Sequence, residues 1–515
     1  MLYPSQIAVS RRGPNSQLGT YVKNVEAERT TSTSVASTWE WIGNVASSAW
    51  CNDRLFAWIL LIAALIVGLH LRFFRLTRWD LSGDEGASWA AASAPSLHEV
   101  VETEQRLDPG KLALYDIILH EWIGFFGDSV FAMRILSVGI GIVSLVLVFI
   151  AVREACGALG RSSPAFCEAA GAFAAFLYAT NLTMVNSDRT VRMYPLLMAA
   201  ELLQITFLCR AQRRGSRVNY AGVAIFTAVM IAANFTASFL IIAEGLWLQC
   251  LLYAKELGWR AGGLQAFGPT MAVSAGVALL APLLPGALAL SAGAVQAGYV
   301  DWIELQPISW TYTTVRDGVG GYKLLWTFIV LGAFGIWYQW RPGAFPSVFF
   351  AIWATGSVLA AVALSYLIHP VENQRYVIIA FVGVFAFAAV GAASIRSTLL
   401  RLVLLLIVVH FTVHPVHNWL RHPHEPAWRD AARLALQQSA GAGISVVPSY
   451  AVDVVHYYLP PEARNLATQV ESGCGSGRVL ILTGWGWLPP DQLTKMSACY
   501  PHLIKILNQI EVRSR

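Results

Sequence analysis

Two adjacent carboxylates, Asp84 and Glu85, stand in the run Arg78-Trp79-Asp80-Leu81-Ser82-Gly83-Asp84-Glu85-Gly86, between two long apolar stretches. Charges this close to hydrocarbon are costly and tend to be functional. Transfer of a group to a hydroxyl or amine acceptor needs a general base for the acceptor's proton, and a carboxylate within hydrogen-bond reach can serve. One acid of the pair would then be the base, while the other orients the acceptor or caps the helix that follows. A plain structural reading carries equal weight: Gly83-Asp84-Glu85 starts a helix over Gly86–Ala92, because acids favour helix N-termini.

Three arginines are the next candidates. Arg189 and Arg192 lie in Ser187-Asp188-Arg189-Thr190-Val191-Arg192-Met193-Tyr194, and Arg375 lies in Glu372-Asn373-Gln374-Arg375-Tyr376. A guanidinium at a membrane boundary can grip a phosphate through two parallel charged hydrogen bonds. It can also simply anchor its helix end by snorkelling. Of Arg189 and Arg192, the reading favours Arg192. Lys111 is a weaker candidate: a lone loop lysine is usually solvated, yet it can pair with a phosphate or with Asp84. His369, beside Pro370, reads first as helix punctuation. His410, His414, His417, His422 and His424 are spaced so that some could share a helix face. Pro415 and Pro423 interrupt that helix and no acid cluster lies nearby, so no metal is assigned there. No cofactor is assigned either, and a divalent ion is left open because one acidic pair supplies few of the oxygens it wants.

The elements that must position these residues are membrane helices. The chain has 515 residues, 56% hydrophobic and 13% charged, against roughly 25% charged in soluble proteins. A span needs about 20 mainly apolar residues, and that template predicts about eleven. They are Leu55–Phe74, Ser129–Val152, Cys167–Thr183, Pro195–Cys209 (continuing from Thr190), two within Tyr220–Ala254 with a turn near Asn234, Phe267–Leu290, Tyr322–Trp340, Pro346–Ile368, Tyr376–Ile395 and Leu399–Val413. Basic residues gather on the cytoplasmic side. If the spans alternate, Arg210, Arg213, Arg214 and Arg217 share a side with Arg153, Arg341, Arg396 and Arg401. This puts the N-terminus inside and the loop after the first span outside. It leaves Arg189, Arg192 and Arg375 on the side that the rule disfavours.

The expected fold is an all-α polytopic membrane protein with a small α/β extracytoplasmic C-terminal domain. Residues 1–53 read as a largely disordered cytoplasmic tail without a signal peptide, in which Trp39–Trp50 is a candidate surface helix. Residues 54–417 form the transmembrane module, with a long first outer loop at 75–128. In 418–515, Pro426–Ser439 reads as an amphipathic helix, and Ile444–Val447 and Val479–Thr483 as short buried strands. Cys474 and Cys499 are the two cysteines expected outside, where disulfides persist; a disulfide or two free thiols both fit. The net charge of +5 is modest and forms no basic stripe, so nucleic acid is not a partner. No Gly-rich phosphate loop follows a strand.

The chain resembles the GT-C superfamily of membrane glycosyltransferases, and within it the branch of protein O-mannosyltransferases and lipid A aminoarabinose transferases. Asp84-Glu85 matches the first-loop acidic pair of that branch. Asp108-Pro109-Gly110-Lys111-Leu112-Ala113-Leu114-Tyr115 stands where the family usually shows Pro-Pro-Leu-Tyr, with the second proline lost and an acid ahead. Phe126-Gly127-Asp128 followed by Met133-Arg134-Ile135-Leu136-Ser137, the Arg192-Met193-Tyr194 run and Arg375-Tyr376 are similar to further family motifs. Pro426-Ala427-Trp428-Arg429-Asp430, with Tyr457-Tyr458 beyond it, resembles the distal domains of many relatives.

The resemblance implies sugar transfer from a polyprenyl-phosphate donor to a lipid, glycan or protein acceptor at the outer face of a bacterial inner membrane. Asp84 would be the general base, helped by Glu85. Arg375, Arg192, Arg189 and Lys111 would hold the donor phosphate, and Tyr194, Tyr376, Tyr115 and Asp108 would contact substrate. Tyr194 and Tyr376 also suit an interfacial role. The rival readings are a transporter or flippase and a membrane-anchored binding protein. A transporter should place ionisable groups near the midplane and often shows a repeat. Here Glu201 and Glu244 are the main charges within spans, and no repeat is visible.

Overall fold

The computed structural model describes residues 53–515 apart from 110, 161, 257–263, 297–303, 340–344, 372, 422–425, 471–473 and 484–489. The expected tail and surface helix lie outside the described residues. Phe56–Arg515 is one compact unit.

The chain is an integral membrane protein. Among the described residues, four helices are long and apolar enough to cross a membrane: Asp53–Phe73, Val130–Leu159, Phe345–Leu367 and Thr398–Arg421. Three bent pairs pass the same test, which makes up to seven, and Arg217–Ala233, Ala237–Leu251 and Ile378–Ser394 are shorter apolar helices.

The bends have local causes. Pro164–Thr180 turns by 66° into Leu182–Arg189, because Asn181 ends the first and caps the second, its side chain accepting from Met184 N at 3.0 Å. Phe267–Leu279 and Leu284–Gly293 meet at 68°, across a break that holds Pro282, which offers no backbone donor. Ile308–Gly318 and Tyr322–Gln339 meet at 90°, through Gly320 and Gly321 at φ +102° and +113°, a region glycine enters freely. The paired spans expected in Tyr220–Ala254 are Arg217–Ala233 and Ala237–Glu256, parted at Asn234. The last expected span needs correction. Its helix does not stop at Val413 but runs through Pro415 to Arg421. Proline is tolerated in membrane helices where neighbours re-satisfy the freed carbonyl.

The ends of several helices meet at one end of the bundle. They are the C-terminus of Asp53–Phe73 and the N-termini of Val130–Leu159 and Tyr194–Arg214, with Arg375 just ahead of Ile378–Ser394. At the opposite end of Val130–Leu159, Glu154 pairs with Arg210 at 3.0 Å and Arg213 at 3.5 Å.

Beyond the bundle, helix Trp428–Ser439 packs on a five-stranded sheet. Its strands are β1 (Ile444–Val447), β2 (Ala467–Gln469), β3 (Val479–Thr483), β4 (His502–Leu507) and β5 (Ile510–Ser514), in the order β2-β1-β3-β5-β4. β1 runs parallel to β2 and β3, while β5 is antiparallel to β3 and β4. The mainly apolar β1 and β3, whose polar members are Ser445 and Thr483, are buried throughout, as central strands should be. Cys474 and Cys499 are joined in a disulfide, with their Cα atoms 5.7 Å apart.

Candidate active site

The turn that carries Asp84 is built by Glu85. Ser82 and Glu85 form a capping box on helix Gly83–Ala92: Ser82 N donates to Glu85 Oε2 at 2.9 Å, and Glu85 N to Ser82 Oγ at 3.2 Å. Glu85 is wholly buried. Its carboxylate takes two bonds from Arg134, at 3.0 and 2.8 Å, and one from Val191 N at 2.9 Å. Arg134 also donates to the carbonyls of Leu76, Trp79 and Asp80, each at 2.9 Å. A single buried ion pair thus fixes the chain from Leu76 to Glu85 and ties it to the segment bearing Arg192. Burial works to raise the Glu85 carboxyl, and Arg134 with the hydrogen bonds outweighs it, leaving it below the usual range. Glu85 thus holds the turn from within, its carboxylate wholly engaged by the chain's own donors.

Asp84, one place earlier, faces outward. Its side chain is 44% exposed and ion-paired with Arg375 through Oδ2. Arg192 Nη1 donates to Asp84 O at 3.2 Å and Ser88 Oγ at 3.3 Å, while Nη2 donates to Asp108 Oδ2 at 3.0 Å. Lys111 also donates to Asp108 Oδ2 and contacts Met193 Sδ at 3.8 Å. Burial tends to raise the Asp84 carboxyl; the charges of Arg192, Arg375 and Lys111 prevail and hold it below the ordinary carboxylate range. Asp108 is likewise lowered, with burial opposed by Lys111 and Arg192.

Two helices of the first loop, Leu97–Leu107 and Leu114–Phe126, bring in acids that the sequence does not single out. Glu104 and Asp116 are buried, with Glu104 Oε2 and Asp116 Oδ1 lacking hydrogen-bond partners. Burial, then the neighbouring Asp116, raises Glu104 well above its usual value. Burial pushes Asp116 up to about 6 against the pull of Arg192 and Lys111.

The remaining candidates divide. Arg189 donates to Leu71 O at 2.7 Å and Phe74 O at 2.8 Å, so it caps the end of the first helix and is not brought into the cluster. Tyr115 is buried against Ser137, with their hydroxyls 2.8 Å apart. Tyr194 is buried, and Tyr376 packs edge-on against Phe235. Among the described residues no group of three or more His, Cys, Asp or Glu gathers as a metal site. Deep in the bundle, Glu201 takes a bond from Trp353 and Glu244 one from Gln204. A second buried tie, which no sequence motif marks, is the pair of Arg72 and Asp188 at 2.6 Å. Arg72, Arg134 and Asp188 all carry one usable signal, charge within or beside an apolar run.

The C-terminal layer holds the same turn from the other side. Leu81 N donates to Tyr458 Oη at 2.8 Å, Arg429 N to Asp80 Oδ2 at 2.9 Å, and Tyr457 Oη to Asp128 O at 3.0 Å. Trp89 stacks edge-on against Tyr457.

No family model matches the chain, and no curated protein matches it in sequence. Solved structures do match. ArnT from Cupriavidus metallidurans, bound to undecaprenyl phosphate, aligns over 88% of this chain and 97% of its own, at 13% identity and a TM-score of 0.51. The archaeal oligosaccharyltransferase AglB from Archaeoglobus fulgidus, with an inhibitory peptide and a dolichol-phosphate, aligns over 83% of this chain and 69% of its own, at 9% identity and 0.51. The oligosaccharyltransferase of the same organism in complex with Zn and sulfate aligns over 86% and 71%, at 11% identity and 0.52. At these identities the likeness is one of fold.

Proposed function

We propose that this chain, which has the GT-C fold of membrane glycosyltransferases, moves a sugar from a polyprenyl-phosphate donor to an acceptor hydroxyl or amine. The observation that carries the reading is the half-exposed Asp84 carboxylate paired with Arg375, with Arg192 and Lys111 packed behind it.

In this reading the acceptor oxygen or nitrogen attacks the anomeric carbon of the sugar. Asp84 takes the acceptor's proton as the new bond forms. The bond from the anomeric carbon to the phosphate oxygen breaks, and its electron pair leaves with the polyprenyl phosphate. Arg375, Arg192 and Lys111 are the cations that would meet the charge growing there. Glu85 and Arg134 hold the turn in place. The site would lie on the extracytoplasmic side, with the N-terminal tail in the cytoplasm and residues 418–515 outside, covering the acceptor's approach. The relatives in fold that bind dolichol-phosphate and undecaprenyl phosphate support the donor class.

The test is sugar transfer in membranes from a mixed pool of radiolabelled polyprenyl-phosphate sugars, for the wild type, Asp84→Asn and Arg375→Ala. Label should move to an acceptor with the wild type and move far more slowly with both variants. Variants that turn over donor like the wild type would sink the assignment of roles. A wild type that consumes no donor would sink the enzyme reading.

A further inference from the structure

The cations at this site already have an anion of the chain's own. Arg192 Nη2 and Lys111 Nζ donate to one and the same oxygen, Asp108 Oδ2. Asp108 caps the C-terminal end of helix Leu97–Leu107 at φ −138° and ψ 75°, outside helical geometry, and Pro109 follows it. The three partners are not equally held. The Lys111 and Arg192 side chains are only 6% and 10% exposed, whereas that of Asp108 is 36% exposed. The cations are fixed by burial, and the carboxylate is the member with a path to water.

A carboxylate oxygen and a phosphate oxygen ask the same of a guanidinium and an ammonium: short charged hydrogen bonds from fixed donors. Resting on the reading of these cations as the donor-phosphate site, we infer that Asp108 is a displaceable stand-in for the lipid phosphate, seated between Lys111 and Arg192 until donor or product phosphate takes the place. A phosphate can engage both cations fully only when Oδ2 withdraws. The apparent affinity for any phosphate is therefore cut by the fraction of time that the seat is open. The effect matters most for the product. A lipid phosphate monoester carries about −1.5 to −2 charge at neutral pH, more than the sugar-bearing diester, and would otherwise hold the cations more tightly than the substrate does. Return of the Asp108 carboxylate helps to release it.

The probe is undecaprenyl phosphate, bound at equilibrium to the purified full-length chain in detergent and followed with radiolabel. Asp108→Asn keeps the side chain's shape and removes the competing charge; Asp108→Glu restores the charge on a longer stem. Asp108→Asn should bind on the order of tenfold more tightly than the wild type, with Asp108→Glu close to the wild type. In a transfer assay Asp108→Asn should give a normal first turnover followed by a slower steady state. Weaker binding by Asp108→Asn would overturn the inference, since Asp108 would then be organising the cations. Unchanged affinity in a variant that melts like the wild type would overturn it too. A wild type that binds undecaprenyl phosphate but transfers no sugar would instead sink the enzyme reading and leave the seat intact.

Discussion

Asp84 and Arg375 lie 291 positions apart in the chain and form an ion pair at the exposed edge of the site. One comes from the first loop and the other from the approach to a late helix. The pair therefore exists only when the first and last thirds of the bundle are assembled together.

On the proposed mechanism, that pairing would set the acid limb of transfer. Arg375 is one of three cations that lower the Asp84 carboxyl against burial. Arg375→Ala removes one of them, so Asp84 should hold its proton to higher pH, and the acid limb of residual transfer should move upward. A pH–rate profile of the variant measures this. Asp84→Asn should lose roughly 100- to 10,000-fold in rate, the usual worth of a general base.

Arg134→Ala should cost about 3–5 kcal/mol of stability, because it leaves Glu85 as an unpaired buried charge. Glu85→Gln should cost less, since Arg134 keeps the carbonyls of Leu76, Trp79 and Asp80 and the amide oxygen can still accept from Val191 N or Ser82 N. Thermal melts in detergent would rank the two, and both variants should lose transfer as the turn loosens.

Asp116 predicts a pH effect on anion binding. Its carboxyl is pushed up to about 6 by burial, so below that value it is neutral and the cluster gains one unit of positive charge. Relative to Asp116→Asn, the wild type should bind undecaprenyl phosphate progressively better as pH falls from about 7 to 5; the lipid phosphate's own protonation in that range, with a second pKa of about 6, is common to both and cancels from the ratio. The stability sign follows from the same shift. A raised acid favours the protonated form in the folded chain, so its contribution is complete at low pH and is lost as pH rises from 3.8 through about 6.

Two neighbouring glycines should respond differently to alanine. A Cβ on Gly86 would fall 2.6 Å from Val454 N and 2.7 Å from its Cα, which are backbone atoms that cannot step aside. A Cβ on Gly83 would meet only the Tyr450 ring, at 3.0 Å. Gly86→Ala should detach the C-terminal layer and expose it to limited proteolysis, while Gly83→Ala should keep it protected.

Much of this arrangement is legible in the sequence. The apolar run behind Val130–Leu159, the turn at Asn234 and the mainly apolar strands β1 and β3 each come from a local pattern that the fold preserves. Asp84, Arg192 and Arg375 stand out because they are charges at membrane boundaries. The bends at Asn181 and at Gly320-Gly321 escape a hydropathy window, which averages over direction. Thr398–Arg421 runs through Pro415 because the surroundings, not the proline, decide in a membrane. Glu104 and Asp116 look like ordinary acids of a polar loop until the loop folds into two helices and buries them. The split between Arg189 and Arg192 is a matter of a few residues along one turn, and no spacing rule reports which carbonyls an arginine will find.

The clasp on the Asp80–Trp89 turn has a consequence for biogenesis. The turn is synthesised early, yet three of its partners, Arg429, Val454 and Tyr458, belong to the final hundred residues. At about 5–20 residues per second, the ribosome needs many seconds more to deliver them. A chain cut short by premature termination inserts most of its helices and still lacks the clasp, so the turn that presents Asp84 waits for the last part of the message before it is set.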